Sequence, residues 1–336
     1  MATYIGIKGV QIPTVSSDPS NPVAGEVWYN TTTNTLKAYG AQGTGAWASG
    51  GTMNDGRTYV SGLGTSQSAG MIVGGGPPAG LGGVKTESYD GSTWTEEGDM
   101  IGGRSDLGTS VGGSPTAALV FGGDGRSAIP AQPQTSDLTE SYNGTAWSEV
   151  ADLNTALRNV AGAGTQTAAL SLGGQISPTT IPTSVTETWD GTSWTNGVGF
   201  VNTQRSAAAG FGTATAGLIA CGRVPPAGAS NGSVFTESYD GTSWSAVNDA
   251  NQQRYLGGEA GTQGGGLLIG GETANDVCES WDGTCWSTIA ALASAVRDNA
   301  GFGTSIAGLS GAGGYPGLDT SFEYTVPDAT KTFTAS

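Results

Sequence analysis

A short aromatic motif that recurs along the chain constrains the fold more than any single residue does. It reads Thr-Glu-Ser-Tyr-Asp-Gly-Ser-Thr-Trp at Thr86–Trp94. Variants occur at Thr139–Trp147, Thr186–Trp194, Thr236–Trp244 and Cys278–Trp286, with a truncated copy at Phe322–Tyr324. A repeat of about 40 to 55 residues built on Gly-Gly, Tyr and Trp is typical of propeller blades. The sequence therefore predicts a radial array of β-sheets.

Each repeat predicts four antiparallel strands. An arginine follows each of six tryptophans by ten or eleven residues, and after it come a small-residue stretch and an apolar run ending in glycine. The Glu-Ser-Tyr and Trp segments are joined by Asp-Gly or Asn-Gly, which favour tight hairpins because both residues tolerate positive φ. No window shows sustained helical periodicity, so we expect an all-β fold.

The ends of the chain predict how the array closes. The last repeat lacks its Trp strand, whereas Gly45–Ala48 supplies an unclaimed one. We expect six blades, with the N-terminal strand completing the last blade and removing its open edge. Val27–Tyr29 and Leu36–Tyr39, joined by a turn-like stretch, leave open a seventh, partial blade. The predicted organisation is an extended arm and linker over 1–24, a propeller over 25–326 and a tail over 327–336.

Composition excludes several classes of function. The chain has a formal net charge of −16 and no His. Nucleic-acid binding needs a basic surface, and His is the commonest general base and metal ligand. We therefore expect no nucleic-acid partner, no cofactor, no metal site and no enzymatic activity. The sequence contains no stretch of about 18 apolar residues, so we expect no membrane insertion. Met1–Val15 lacks the basic and apolar regions of a signal peptide, so we expect synthesis in a cytosol.

One arginine and one glutamate recur in every repeat. A ring of guanidinium groups at one mouth of the central channel could hold a carboxylate or phosphate. However, the first and third strands of a blade begin on the same face, two strand spacings of about 4.8 Å apart, so we expect structural Arg–Glu pairs instead. The arginines are Arg57, Arg104, Arg158, Arg205, Arg254 and Arg297, and the glutamates are Glu87, Glu140, Glu187, Glu237, Glu279 and Glu323.

The repeats differ most between the second and third strands. These variable loops are predicted to emerge opposite the uniform Asp-Gly hairpins, and surface loops on a rigid scaffold often carry binding residues. A glycan or a protein surface could bind there, although solvated insertions would show the same composition. The candidate binding residues are Arg126, Gln132, Gln134, Arg223, Asn231 and Tyr315.

Three cysteines allow two interpretations. Cys278 and Cys285 flank the Asp282-Gly283 turn, so either a disulfide or two buried thiols would fit. Cys221 ends an apolar run and is expected in the core.

The N-terminal region differs in character from the repeats. Ile5, Ile7, Val10, Ile12 and Val15 lie at near-alternating positions. This pattern predicts an extended arm that adds a strand to another subunit or lies along the propeller wall.

Two resemblances suggest a biological setting. Residues Asp18–Lys37, with the sequence DPSNPVAGEVWYNTTTNTLK, resemble the opening segment of tail-fibre and other virion structural proteins of tailed bacteriophages. The blade motif is similar to kelch-like repeats in the same kind of protein. The resemblance implies a multimeric virion structural protein, made in the host cytoplasm and anchored to other virion proteins through its N-terminal arm. Its propeller would then face a host-surface glycan or protein.

Other functions remain open at this stage. A capsid or tail decoration protein and a free propeller lectin would share this sequence pattern. The motif also resembles a shortened sialidase Asp-box, which raises a glycosidase. Residues that recur in every repeat match a single catalytic site poorly, so the sequence favours a protein that is not an enzyme.

Overall fold

The fold is built from β-strands in two compact units. The computed structural model describes residues 12–76, 83–125, 135–177, 181–200, 202–225, 231–314 and 317–333. One unit comprises Met1–Ala46 with Thr325–Ser336, and the other comprises Trp47–Tyr324. No helix among the described residues is long and apolar enough to cross a membrane.

The repeats form four-stranded antiparallel sheets, numbered here in chain order. Sheet 1 contains Ser61–Ser66, Ala69–Val73, Thr86–Tyr89 and Trp94–Glu96; sheet 2 contains Gly108–Thr109, Ala118–Phe121, Thr139–Tyr142 and Trp147–Glu149; sheet 3 contains Ala161–Thr165, Ala168–Leu172, Thr186–Trp189 and Trp194–Asn196. Sheet 4 contains Ala209–Thr213, Ala216–Ala220, Thr236–Tyr239 and Trp244–Ala246; sheet 5 contains Gly258–Thr262, Gly265–Ile269, Cys278–Trp281 and Trp286–Thr288; sheet 6 contains Ala300–Gly303, Ala307–Gly311, Ser321–Thr325 and Ala46–Ser49. This all-β architecture of blade-like sheets is of the β-propeller type, as the repeats predict.

The Asp-Gly hairpins form as predicted. In sheet 1, Tyr89 pairs with Trp94 across the turn, where Gly91 has a φ of 95°. The Asp90 Oδ1 atom accepts hydrogen bonds from the backbone N–H groups of Ser92 and Thr93 at 2.9 and 2.8 Å. These bonds lower the pKa of Asp90 to about 2. The side chain therefore fixes the turn through its own backbone.

The hydrophobic core lies between consecutive sheets. Leu63, Met71 and Val73 of sheet 1 pack with Tyr142 and Trp147 of sheet 2. Equivalent clusters join sheets 2 and 3, sheets 3 and 4, and sheets 4 and 5. A further cluster joins sheet 1 to sheet 6 through Trp94 and Phe302, among other residues. The aromatic residues of the motif thus fill the space between sheets.

Three motif tryptophans, Trp147, Trp194 and Trp286, donate their indole N–H to the motif Thr of the preceding sheet, and Trp94 donates to the Gly51 carbonyl. Trp147 donates to Thr86 Oγ1 at 3.1 Å, and Trp194 donates to Thr139 Oγ1 at 3.0 Å. Trp244 is the exception, since its Nε1 atom is buried without a partner among the described residues. The motif Thr therefore serves as the hydrogen-bond acceptor for the next repeat.

The smaller unit has a sheet of its own. Its strands are Thr14–Val15, Val27–Asn30, Thr35–Ala41 and Asp328–Phe333. The predicted turn after Val27–Asn30 forms a hairpin, but the strands do not form a blade of the repeat series. This unit includes residues 25–46, which were predicted within the propeller, and Asp328–Phe333, which was predicted as a tail. The two segments belong together because the strand Thr35–Ala41 pairs with Asp328–Phe333. The arm residues before Ile12 lie outside the described residues.

The cysteines do not form a disulfide. All three are free, with Cys221 and Cys278 buried and Cys285 exposed. The hairpin pairs Glu279 with Thr288 and Trp281 with Trp286, which leaves Cys285 in the turn beside Asp282 and away from Cys278. Of the two alternatives, the bridge is therefore wrong, and that of two buried thiols holds for Cys278 only. Cys221 lies in the core as predicted.

The indole hydrogen bond can be tested by comparing two equally buried tryptophans. Trp194 is 6% exposed and hydrogen-bonded, whereas Trp244 is 4% exposed and has no partner. We expect Trp194→Phe to destabilise the protein by about 1–3 kcal/mol more than Trp244→Phe, since only the first change removes a buried hydrogen bond. Chemical denaturation of both variants measures the difference. Equal losses would contradict the role assigned to Thr139.

Candidate functional site

Four of the six predicted Arg–Glu pairs form. In each of them both residues come from the same repeat, and both side chains are buried. Arg57 Nη2 lies 2.8 Å from Glu87 Oε1, and both side chains are 3% exposed or less. The same contact joins Arg104 to Glu140, Arg205 to Glu237 and Arg254 to Glu279. Burial lowers the pKa of Arg57, while the neighbouring Glu87 opposes that shift. We call this arrangement the Arg–Glu clasp.

The clasp also holds the two ends of a variable loop. Arg57 Nη1 donates to the carbonyl oxygens of Gly74 and Lys85, both at 2.9 Å. These two residues begin and end the loop between the second and third strands of sheet 1. Arg104 contacts Gly122 and Leu138, and Arg254 contacts Gly270 and Val277, in the same way. One guanidinium thus ties the third strand to both ends of the loop.

Arg158 and Arg297 do not form the predicted pairs. Arg158 Nη1 lies 2.9 Å from Asp124 Oδ2, and Arg297 pairs with Glu272. The buried positions that arginine occupies elsewhere are taken by Leu157 and Val296, which are 0% and 3% exposed. Both arginines are therefore displaced by one residue and contact an acid from the preceding sheet's loop.

The two glutamates left without arginine find other donors. Glu187 accepts hydrogen bonds from the backbone N–H groups of Asn154 and Thr155 and from the Asn154 side chain. Glu323 accepts a hydrogen bond from Tyr89 at 2.5 Å. Burial, followed by this bond, raises the pKa of Tyr89 to about 12.

A signal for the displaced arginines was present in the sequence. Arg57, Arg205 and Arg254 precede the glycine of the following Gly-Thr pair by seven residues, whereas Arg158 and Arg297 precede it by six. Arg104 is an exception, because its Gly-Thr pair follows after four residues. Counting from the preceding Trp mixes the two classes, whereas the distance to Gly-Thr separates them apart from Arg104.

The structure describes two of the candidate loop residues. Arg223 is half-buried, with its Cζ atom 4.4 Å from the centre of the Tyr255 ring, and Asn231 is exposed. The Asn231 carbonyl accepts a hydrogen bond from Val224 N at 3.1 Å, so both candidates lie at the base of one loop. The other four candidates, Arg126, Gln132, Gln134 and Tyr315, lie outside the described residues.

A series of residues in the left-handed conformation lies two residues before the first strand of each repeat. Six non-glycine residues, one per repeat, have φ between 51° and 58°. From the second onward, each donates its backbone N–H to the carbonyl of the preceding member, at 2.8 to 3.1 Å. This conformation costs roughly 1–2 kcal/mol per non-glycine residue, and the hydrogen bonds along the series offset that cost. The αL residues are Tyr59, Asp106, Asn159, Ala207, Leu256 and Asp298.

The αL residues surround a cavity of about 60 Å³ together with the first strands. The strands approach closely here: a Cβ on Gly62 would lie 2.4 Å from the Gly301 carbonyl oxygen. Glu259 occupies the position of Gly62 in the fifth sheet, because it pairs with Leu268 as Gly62 pairs with Ile72. Glu259 therefore places a carboxyl group at a position that glycine occupies in four other repeats and Thr109 occupies in sheet 2. We call this space the axial cavity.

The axial cavity contains three acidic side chains with raised pKa values. Burial, with a smaller contribution from Asp298 and Asp124, raises the pKa of Asp106 to about 7. Burial raises the pKa of Asp298 to about 6, opposed by Arg297, and that of Glu259 to about 8. Asp106 and Glu259 keep part of their surface exposed, and both line the cavity. Repeat analysis missed these acids because each stands where most other repeats have a neutral residue.

Direct metal coordination finds no support in this part of the molecule. Across the described ranges, no three His, Cys, Asp or Glu side chains are placed to hold one metal ion. Chemically, the axial cavity can bind protons or a group that donates hydrogen bonds.

Comparisons with known proteins bear on the fold alone. No family model matches the chain, and no curated protein does. Among solved structures, the chain is similar to that of YjhT, with a TM-score of 0.66 and 12% sequence identity over 83% of this chain and 99% of that one. The similarity to this solved structure thus supports an all-β fold of the β-propeller type.

The clasp predicts a large cost for removing a buried arginine. We expect Arg254→Leu, which copies the residue at Leu157, to destabilise the protein by about 3–5 kcal/mol because Glu279 stays buried without its cation. The double variant with Glu279→Gln should recover part of the loss. Arg297→Leu is the matched control and should cost about 1 kcal/mol or less, since Arg297 pairs at the surface. Similar losses in both single variants, measured by urea unfolding, would argue against the clasp.

The cavity acids predict a pH dependence of stability. Their raised pKa values mean that the folded chain binds more protons than the unfolded chain. The stability that these three acids contribute is therefore complete below about pH 4 and is lost as pH rises through about 6, 7 and 8. Glu259→Gln should abolish the part of this fall that extends to pH 8. Thermal unfolding from pH 5 to 9 tests this, with Glu149→Gln, at an exposed position, as control. An unchanged profile in Glu259→Gln would contradict the assignment.

Proposed function

We propose that this chain is a non-enzymatic virion structural protein of a tailed bacteriophage. Its larger unit would be displayed on the particle as a tail-fibre or host-adhesion module. The variable loops would contact the host surface or neighbouring virion subunits, and the smaller unit would attach the chain to the particle. The related alternative is a decoration protein of the capsid or tail, and the experiment described below distinguishes the two roles.

We also propose that the larger unit is a six-bladed propeller closed by the N-terminal strand. Ala46–Ser49 completes sheet 6, and Trp47 Nε1 donates to the carbonyl of Ala290, which follows the last strand of sheet 5, at 2.9 Å. This is the inter-sheet role that the motif tryptophans play elsewhere. The first strand of sheet 6 also contacts that of sheet 1. Such closure would leave exposed only the short outer edges of the blades.

The use of the repeated polar residues supports a scaffold. All six motif glutamates accept hydrogen bonds from nearby protein groups, and five repeat arginines form ion pairs with at most 13% of the side chain exposed. Groups engaged in this way hold the sheets and loops together and are not available for a reaction. The recurring residues therefore favour architecture over catalysis.

The observation that carries the attachment role is that the segment resembling phage virion proteins lies within the smaller unit. Asp18 accepts hydrogen bonds from Trp28 Nε1 at 3.0 Å and Asn30 Nδ2 at 2.7 Å, and it pairs with Lys37 at 2.5 Å. All four residues fall within Asp18–Lys37, the segment that resembles phage virion proteins. That segment thus builds the polar centre of a compact unit distinct from the repeats.

The arrangement of the loops supports the adhesive role. Within each of the first five sheets, the loop between the second and third strands leaves the end opposite the four-residue Asp-Gly or Asn-Gly hairpin. These loops range from Gly270–Val277 to Gly122–Leu138 in length. Because the clasp fixes the ends of several loops, their length and composition can vary without disturbing the sheets. Such variation suits recognition of different surfaces.

Immunogold electron microscopy of purified phage particles tests the proposal. We expect an antibody against the folded chain to label tail or fibre tips, and the purified protein to block adsorption of the phage to its host. Arg223→Ala, at the base of a variable loop, should weaken the block. Asp190→Asn, at the opposite end of a sheet, should not, because Asn143 forms the equivalent turn naturally.

The alternatives give different results. Label over the capsid with no effect on adsorption would indicate a decoration protein. Particles that lack the chain by mass spectrometry would overturn the virion role.

A further inference from the structure

Three asparagines in the chain are followed directly by glycine, and the fold places them in different surroundings. They are Asn143, Asn196 and Asn231. All three residues are exposed to solvent. Asparagine before glycine is prone to deamidation, because glycine has no side chain to hinder attack of its backbone nitrogen on the asparagine amide. The fold therefore decides which of the three sites can react.

Two of the sites are restrained by backbone hydrogen bonds. Attack requires rotation of the peptide group that joins the asparagine to the glycine. After Asn196, the N–H of Gly197 donates to the Thr186 carbonyl at 2.8 Å. The Asn231 carbonyl accepts a hydrogen bond from Val224 N at 3.1 Å. Each bond must break before the asparagine side chain and the glycine nitrogen can meet, so the fold protects both sites.

The peptide group between Asn143 and Gly144 has no such restraint. Among the residues that the structure describes, neither its N–H nor its carbonyl oxygen has a hydrogen-bond partner. The Asn143 Oδ1 atom accepts hydrogen bonds from the backbone N–H groups of Thr145 and Ala146, both at 3.0 Å. Two donors directed at this oxygen stabilise the negative charge that develops on it when Cγ is attacked. The hairpin therefore leaves the peptide free and assists the reaction.

We propose that Asn143 is a site of spontaneous deamidation in the folded protein. The Gly144 nitrogen loses its proton and bonds to Cγ of Asn143, the Cγ–Nδ2 bond breaks, and ammonia leaves with that proton. Water then opens the succinimide ring. Cleavage of the new bond to Cγ gives aspartate, whereas cleavage of the original peptide bond gives isoaspartate. The reaction consumes one water molecule and needs no other reactant.

The folded turn favours aspartate as the product. Aspartate already occupies this position in the four Asp-Gly hairpins, where its Oδ1 atom accepts the same two backbone hydrogen bonds at 2.8 to 2.9 Å. Isoaspartate would add one carbon to the main chain of the turn and disturb the pairing of Tyr142 with Trp147. Deamidation thus gives the second repeat the turn of the other four and adds one negative charge at this end of the sheet.

Incubation of the full chain at pH 8.5, followed by proteolysis and mass spectrometry, tests the proposal. We expect the folded protein to deamidate at Asn143 about tenfold faster than at Asn196 or Asn231, since a hydrogen bond that must break first slows a reaction by about that factor. In urea, the three rates should converge and the share of isoaspartate at position 143 should rise. Equal rates in the folded protein would overturn the proposal, as would the same order of rates in urea.

Asp90→Asn supplies a matched copy of the site. It places Asn-Gly in the equivalent turn of sheet 1, where the peptide group between Asp90 and Gly91 also lacks hydrogen-bond partners among the described residues. We expect position 90 to deamidate at a rate similar to that of Asn143 and to return mainly to aspartate. A stable asparagine there would overturn the role of the turn. Asn143→Asp, which copies the product, should keep the Tm of the unmodified protein, and a lower Tm would contradict the preference for aspartate. The proposal does not depend on the virion role.

Discussion

The Arg–Glu clasp is the interaction on which the other features of the repeats depend. A buried guanidinium is costly unless its donors are satisfied, and in Arg57 the Nη donors are shared between one carboxylate and the two ends of a loop. The Nε atoms of Arg57, Arg205 and Arg254 are buried without a partner among the described residues. The clasp therefore fixes the start of the third strand and closes the loop in one contact. This explains how the loop in sheet 2 can extend over Gly122–Leu138 while the two strands that it joins keep the same pairing register as in the other sheets.

The repeats without a clasp show what replaces it. In sheet 3, Leu157 fills the arginine position, and the loop contains its own short hairpin, Gln175–Ile176 paired with Ile181–Pro182. In sheet 6, Val296 fills the position, and Tyr89 donates to Glu323. The replacement is local in one case and comes from another sheet in the other. The third strand is thus held in both repeats without a buried arginine.

The sequence predicted the features that arise from local, repeated chemistry. The Asp-Gly turns, the strand order within each sheet and the apolar runs follow from residues close in sequence. Four Arg–Glu pairs were predicted correctly for the same reason. Arg158 and Arg297 were not, because a shift of one residue moves a side chain to a different neighbour, and Trp-based spacing does not resolve that shift.

Features that depend on where different repeats meet could not be read from one repeat. Asp106, Asp298 and Glu259 are ordinary residues in the sequence, and their importance comes from facing one cavity. The pairing of Asp328–Phe333 with Thr35–Ala41 likewise joins segments nearly 300 residues apart. Neither has a local pattern.

The αL residues connect the fold to the chemistry of the axial cavity. Left-handed conformation is least costly for Asn and Asp among residues with a side chain, so three of the six positions are filled by these polar residues. The positive φ needed at the turn before each first strand thereby places carboxyl and amide groups around the cavity. Ala207 and Leu256 show that the turn itself does not need them. The acids are therefore an addition to the scaffold, since the turn forms without them.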